Sequence, residues 1–130
     1  MAAKLSRQQL VRAVDSLRPY PAVLLPRTEG GFEVIFPNLP RVRSYGISRD
    51  AAVQNGIETL TFELGQMVVA GETPPPPSHP ERLIPDAEEP AGTQLMMLEP
   101  DKAVLRRRLG LEKREKGHAM AAALGRLGRN

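Results

Sequence analysis

Residues 20–70 decide the fold, and they read YPAVLLPRTEGGFEVIFPNLPRVRSYGISRDAAVQNGIETLTFELGQMVVA. Two runs rich in apolar and branched residues, 20–25 and 32–36, lie on either side of the Gly30-Gly31 pair. This pattern predicts a β-hairpin, because such runs favour strands and glycine permits the positive φ angles of a tight turn. The hairpin is therefore expected to be the first part of a sheet.

One amphipathic helix is predicted after the hairpin. Ser48 suits an N-cap, because its hydroxyl can accept a hydrogen bond from the first helical turn. Apolar residues then recur at spacings of four and three, which places them on one face of a helix over 48–70. The stretch 43–45 before it predicts a short third strand. These elements indicate an α+β fold, with one helix packed on a small sheet and an apolar stripe of Val53, Ile57, Leu60, Leu64 and Met67.

The segments before and after this unit add further elements. Ser6 and Gln9 form a capping-box pattern, which predicts a helix over 5–17. Residues 72–91 are rich in proline and charge and are expected to form a stiff, solvated linker. The apolar run 94–98 then predicts another strand. The expected order is therefore β-β-β-α-β, in a sheet that is mainly antiparallel.

The C-terminal part of the chain is predicted to be helical and basic. Pro100 suits the first position of a helix that ends near Leu109, since proline is favoured there. Short helices are also expected at 111–116 and 118–127. We therefore divide the chain into an N-terminal helix (1–18), an α+β domain (19–98) that includes the linker, and a basic helical segment (99–130).

The net charge of +3 hides a strong partition along the chain. Residues 1–18 carry +3, residues 19–101 carry −7 and residues 102–130 carry +7. An acidic body with a basic tail predicts two contact surfaces with different partners. The tail is either a nucleic-acid contact, a solvated segment or a segment that docks on the acidic body of a neighbour. Its candidate phosphate contacts are Arg106, Arg107, Arg108, Lys113, Arg114, Lys116, Arg126 and Arg129.

Composition excludes several classes of protein. The chain has no cysteine, so it has neither a disulfide framework nor a thiolate metal site. No apolar run approaches the roughly 20 residues that a membrane-spanning helix needs. The N-terminus lacks the apolar region of a signal peptide, and we expect a cytoplasmic protein without a membrane association.

Two of the expected strands are apolar on both faces. Both 20–25 and 94–98 are nearly continuous apolar runs. The helix over 48–70 can cover only one face of the sheet that they form. The other face needs the N-terminal helix, a second subunit or another partner. We therefore expect a homo-oligomer, a dimer or larger.

An ordered series of residues marks the strands, the turn, the end of the hairpin and the helix: Tyr20, Gly30, Gly31, Phe36, Pro37, Leu39, Pro40, Gly46, Asp50, Ala51, Asn55 and Leu60. The order of these residues resembles the HicB antitoxin family, which has a partial RNase H-like fold. The resemblance covers roughly residues 20–98, and it implies a protein that binds and neutralises a small, basic HicA-type toxin, an mRNA interferase. It also implies a C-terminal element that binds operator DNA and represses the protein's own operon.

Catalysis is not expected. An RNase H-type nuclease needs several carboxylates that converge on metal ions, and the strands supply only Glu33. His79 and His118 have no nucleophile or base near them in the sequence and are expected to be solvated. We therefore predict no enzyme activity, metal or cofactor.

The leading hypothesis is an antitoxin whose acidic body covers the basic RNA-binding surface of a toxin. By charge complementarity, its candidate contact residues are Glu29, Glu33 and Glu58. The alternatives are a solitary regulator that binds nucleic acid through the basic tail, and an oligomeric scaffold with no catalytic or nucleic-acid role.

Overall fold

Strands and helices follow one another in the predicted order. The computed structural model describes residues 5–79 and 91–112. Within them, four strands form one sheet in the order β3-β2-β1-β4, and every neighbouring pair is antiparallel. The predicted α+β class is thereby confirmed. The elements are α1 (Arg7–Asp15), β1 (Tyr20–Pro26), β2 (Phe32–Ile35), β3 (Arg43–Gly46), α2 (Arg49–Val69), β4 (Gln94–Leu98) and α3 (Lys102–Arg108).

The hairpin forms around the two predicted glycines. Gly30 and Gly31 have φ angles of 105° and 81°, which residues other than glycine rarely adopt. The turn is closed by a hydrogen bond of 3.0 Å from the Arg27 N–H to the Gly31 carbonyl. Leu24 then pairs with Val34 across β1 and β2. The first two strands therefore present their apolar side chains in register.

The face of helix α2 that packs on the sheet contains smaller residues than the predicted apolar stripe does. Leu60 and Leu64 of that stripe are fully buried, whereas the other three members are only partly buried. Gly56 lies against β2, where an added Cβ would come within 3.2 Å of Val34 Cγ1. Helix and sheet thus approach closely because small residues lie between them. The buried face of the helix consists of Ala52, Gly56, Leu60, Thr61, Leu64, Gly65 and Val68.

The end of β3 lies directly against the first turns of α2. The Asn55 side-chain amide donates to the Tyr45 carbonyl at 2.7 Å. A Cβ on Gly46 would come within 2.1 Å of the Ala52 backbone nitrogen, so only glycine fits there. Gly46 and Asn55, two residues that carry the family resemblance, therefore fix the strand to the helix.

Helices α1 and α3 lie side by side in opposite directions, and both pack against α2. The Arg7 guanidinium donates to the Gly110 carbonyl at 2.6 Å, and at the other end Lys102 Nζ donates to the Asp15 carbonyl at 2.8 Å. Arg106 forms an ion pair of 3.2 Å with the Asp15 carboxylate. Val14 of α1 and Leu105 of α3 belong to the same hydrophobic cluster as the residues of α2 and the sheet.

One detail of the C-terminal part differs from the prediction. Helix α3 begins one residue after Asp101, which caps it by accepting from the Val104 N–H at 3.0 Å. The placement of Pro100 in the first helical turn was therefore wrong, because the aspartate one residue later is a better cap. Apart from Leu111 and Glu112, the helices expected at 111–116 and 118–127 lie outside the described residues.

The proline-rich segment is attached to the sheet at its beginning. The Tyr20 hydroxyl donates to the Pro75 carbonyl. Asn38 and Ser78 form two hydrogen bonds with each other, of 2.8 and 3.0 Å. Burial raises the pKa of the Tyr20 phenol, and the nearby positive charge of Arg18 lowers it by a smaller amount. This first part of the linker is thus held against the sheet domain by hydrogen bonds.

All three described helices lie on one face of the sheet, which we call the helical face. The N-terminal helix therefore does not cover the opposite face, which we call the open face, because it packs beside α2 and α3. By strand alternation the open face carries mostly apolar side chains. Tyr45 and Met97 at the edges of this face are 53% and 42% exposed, whereas Pro21 and Val23 on the central strand β1 are buried. The N-terminal helix therefore does not cover the second face, which leaves a second subunit or another partner to do so.

Candidate partner-binding site

Two of the three predicted contact carboxylates lie together beside the hairpin turn. Glu33 is on the open face, where its two oxygens accept from Arg27 at 2.8 Å and from Arg43 at 3.0 Å. Glu29 lies in the turn and makes a looser ion pair of 3.6 Å with Arg27. Two arginines thus balance two carboxylates, so the cluster as a whole carries no net charge.

Exposure separates the roles of these two glutamates. The Glu33 side chain is only 17% exposed, whereas that of Glu29 is 73% exposed. Both oxygens of Glu33 are already engaged, so its main effect is to hold β2 against its neighbours. Glu29 remains accessible to a partner at the tip of the hairpin.

Tyr45 completes the surface around the turn, and sequence reasoning did not identify it as a site residue. Its hydroxyl donates to the Gly30 carbonyl at 3.0 Å. The ring lies over Gly31, where an added Cβ would come within 2.2 Å of the Tyr45 hydroxyl oxygen. The side chain is held in place although it is half exposed. Its ring therefore offers a rigid, amphipathic contact of the kind enriched at interfaces.

The third predicted contact, Glu58, lies on the other side of the molecule. It is two residues from Gly56 and from Leu60, both buried, so the helical period turns it away from the sheet. Its side chain is exposed and forms no ion pair within residues 5–79 and 91–112. The three glutamates therefore do not form one site.

The basic residues of the tail divide in a similar way. Arg106 is committed to Asp15, whereas Arg107 and Arg108 are exposed at the end of α3. The other five candidate phosphate contacts lie outside the described residues: Lys113, Arg114, Lys116, Arg126 and Arg129.

Neither a metal centre nor a membrane segment is found in the part of the chain that the structure describes. No group of three or more histidine, aspartate or glutamate side chains there could hold a metal ion. None of its helices is long and apolar enough to cross a membrane.

Comparison with solved structures finds the same sheet and helix in HicB antitoxins. The N-terminal domain of Burkholderia pseudomallei antitoxin HicB is 24% identical, with a TM-score of 0.56 over 65% of this chain and 99% of that one. A chain of the HicA3 and HicB3 toxin-antitoxin complex is 27% identical, with a TM-score of 0.52 over 65% and 99%. The chain has the fold of the HicB antitoxins.

A longer match to this fold extends beyond the sheet. A toxin-antitoxin complex from Streptococcus pneumoniae contains a chain that is 18% identical, with a TM-score of 0.57 over 84% of this chain and 97% of that chain. The likeness therefore reaches past the roughly 80 residues that carry the sequence resemblance. No protein-family model and no curated protein match the sequence.

Proposed function

We propose that this chain is a HicB-like antitoxin that binds and neutralises a small, basic HicA-type mRNA interferase in the cytoplasm. The observation that carries the proposal is the fold shared with a chain of the HicA3 and HicB3 complex, at 27% identity over 99% of that chain. The charge of the body, −7 over residues 19–101, suits a basic partner. In this mechanism the antitoxin covers the surface through which the toxin holds RNA.

The accessible carboxylates are the electrostatic contacts in this proposal. Glu58 on α2 and Glu29 at the hairpin tip are exposed, whereas the charge of Glu33 is balanced by two arginines. Complementary charges mainly accelerate encounter and select the partner. We therefore assign the contact role to Glu58 and Glu29, and to Glu33 the role of keeping the hairpin in shape.

The proposal is tested by a search for a small basic protein encoded next to this chain and by co-expression of the two proteins. The neighbour alone is expected to arrest growth and degrade mRNA, and this chain is expected to restore growth and to co-purify with it. If the neighbour is neither toxic nor bound by this chain, the antitoxin function is refuted.

Charge-reversal variants test the proposed contacts. Glu58→Lys is expected to slow association with the toxin at low salt by about tenfold, since steering by charge changes association rates on this scale. Glu72→Lys is the matched control, because it makes the same change of charge at another exposed position, beyond the end of α2. Equal effects of the two variants would refute a specific role of Glu58.

A second function, operator binding by the basic tail, is favoured by the exposure of Arg107 and Arg108. Autorepression would follow if the complex bound its own promoter. Replacement of both arginines by alanine is expected to lower the slope of log affinity against log salt by about 2, since each phosphate contact contributes about 0.9.

Arg106→Ala is the matched control for this experiment, because the side chain of Arg106 is already paired with Asp15. It is expected to change the slope by less than either exposed arginine. Salt-dependent binding that survives removal of residues 102–130 would refute a nucleic-acid role of the tail.

A further inference from the structure

Helix α2 carries two large apolar side chains on its outer surface. Phe62 and Val69 are 56% and 52% exposed, and they lie about two turns apart on one side of the helix. Adjoining apolar residues that are exposed, with polar residues at their rim, are typical of a surface that binds another segment. These two residues line a groove between α2 and α3, the α2–α3 groove, together with Gln66, Leu105, Arg108 and Leu109.

The α2–α3 groove follows two helices that touch and run in the same direction. The Asp101 N–H, at the start of α3, donates to the Thr61 hydroxyl of α2 at 2.9 Å. One turn further along both helices, an added Cβ on Gly65 would come within 2.7 Å of Leu105 Cδ2. The C-terminal ends of the two helices therefore lie at the same end of the groove, next to Val69.

The chain leaves α3 at this end of the groove. It turns at Gly110, which has a φ angle of 67°, and the Glu112 carbonyl then accepts from the Arg7 guanidinium at 3.1 Å. Residues 113–117 follow. Five extended residues span about 17 Å, which exceeds the helix diameter of about 10–12 Å. The residues after them can therefore reach across α3 and lie in the groove.

The pattern of residues 118–127 predicts a helix of the right shape for this groove. Met120, Leu124 and Leu127 recur at spacings of four and three, so that a helix places them on one face. Ten helical residues are about 15 Å long, and the distance along α2 from Glu58 to Val69 is about 16 Å. The segment therefore matches the groove in length and offers it an apolar face.

We infer that residues 118–127 form a helix that docks in the α2–α3 groove of the same chain, antiparallel to α2 and α3. Short connections between helices join antiparallel neighbours. The register that places Met120 beside Val69 also places Leu127 beside Phe62. Docking then removes the two large apolar side chains of α2 from water, as a helix in a groove does. This inference does not depend on the proposed toxin.

Opposite charges favour the same orientation. Glu58 lies one turn before Phe62 on the same side of α2, and it forms no ion pair within the described part of the chain. The proposed register brings Arg129 next to it. Residues 113–130 carry five lysines and arginines and one glutamate, which complements the acidic body. A toxin that contacts Glu58 would have to compete with this segment for α2.

A designed disulfide tests the docked position on the full chain without a toxin. The chain has no cysteine, so Gln66→Cys with Ala123→Cys introduces only two thiols, which lie side by side in the proposed register. They should form a disulfide within one chain, detected by mass spectrometry. Ile47→Cys with Ala123→Cys is the matched control, because Ile47 is exposed and precedes α2, about 25 Å from Gln66. Equal rates for the two pairs would overturn the inference.

Amide hydrogen exchange tests whether the segment binds through its apolar face. The amides of 118–127 should exchange slower in the wild type than in Leu124→Asp, by roughly tenfold or more, because binding protects them. Ala122→Asp is the matched control, because it adds the same charge on the opposite face of the helix and should keep the protection. Circular dichroism shows whether each variant keeps its fold. Equal exchange in the wild type and Leu124→Asp would overturn the inference.

A charge exchange tests the orientation, and dilution tests whether the contact lies within one chain. Glu58→Arg and Arg129→Glu should each speed the exchange of the segment, and the double variant should restore the slow rate; no restoration would overturn the antiparallel register. Protection that fades on dilution would place the segment on a second copy and overturn the inference. A Phe62→Gln variant that loses toxin binding but keeps the slow exchange would assign the groove to the toxin and also overturn it.

Discussion

Replacement of Gly46 by alanine should destabilise the protein more than any other single-methyl addition at a glycine with ordinary φ. The new Cβ would lie 2.1 Å from the Ala52 nitrogen and 2.5 Å from the Ala51 carbonyl carbon. Real Cβ contacts essentially never fall below 3.0 Å. Both neighbours are backbone atoms in the first turn of α2, so neither can rotate away. The strand or the helix must move instead.

The expected loss follows from that geometry. Overpacking of a well-packed site costs about 1–3 kcal/mol, and a clash with backbone belongs at the upper end. Movement of β3 would also break the Asn55–Tyr45 hydrogen bond, which is worth about 1 kcal/mol. The two costs together give about 4 kcal/mol. For the roughly 100 residues that the structure describes, this corresponds to a fall in Tm of about 20 °C.

Gly56→Ala provides the matched control for this experiment. Its Cβ would lie 3.2 and 3.3 Å from the ends of the Val34 and Leu98 side chains, which can shift by a few tenths of an ångström. The gain in helix propensity of about 1 kcal/mol offsets this cost, so the net change should stay within about 1 kcal/mol. Thermal and urea unfolding followed by circular dichroism measure both variants. A Tm of Gly46→Ala that matches that of Gly56→Ala would refute the close approach of β3 to α2.

Three further experiments test the remaining contacts. Tyr20→Phe should reduce the fall of Tm above pH 10, because burial raises the pKa of this phenol in the folded protein. The contribution of the phenol to stability is complete below its unfolded pKa of about 10 and is lost as the pH rises through the folded pKa. A double-mutant cycle on Arg106 and Asp15 should give a coupling of about 0.5 kcal/mol in urea unfolding, since the ion pair is partly exposed, and no coupling would contradict the contact between α1 and α3. Glu33→Gln should cost about 1 kcal/mol in the same assay and Glu29→Gln less, because only Glu33 is held by two arginines; the reverse order would contradict the geometry.

Local signals predicted the elements of the fold well, because each depends on a few neighbouring residues. The capping box of Ser6 and Gln9 forms as expected, and Ser48 caps α2. The hairpin glycines adopt positive φ. Such features can be predicted from a single sequence because their hydrogen bonds join residues three or four positions apart.

Contacts between segments that are distant in the sequence could not be predicted from local patterns. The bond from Arg7 to Gly110 joins residues 103 positions apart. A charge count cannot show that Arg106 of the basic tail is bound to Asp15. Periodicity also missed the close packing of Gly56, because an apolar stripe is recognised by large side chains, whereas the closest approach needs the smallest one. The charge pattern also could not show that Glu33 and Glu58 lie on opposite sides of the sheet, because it does not encode the topology.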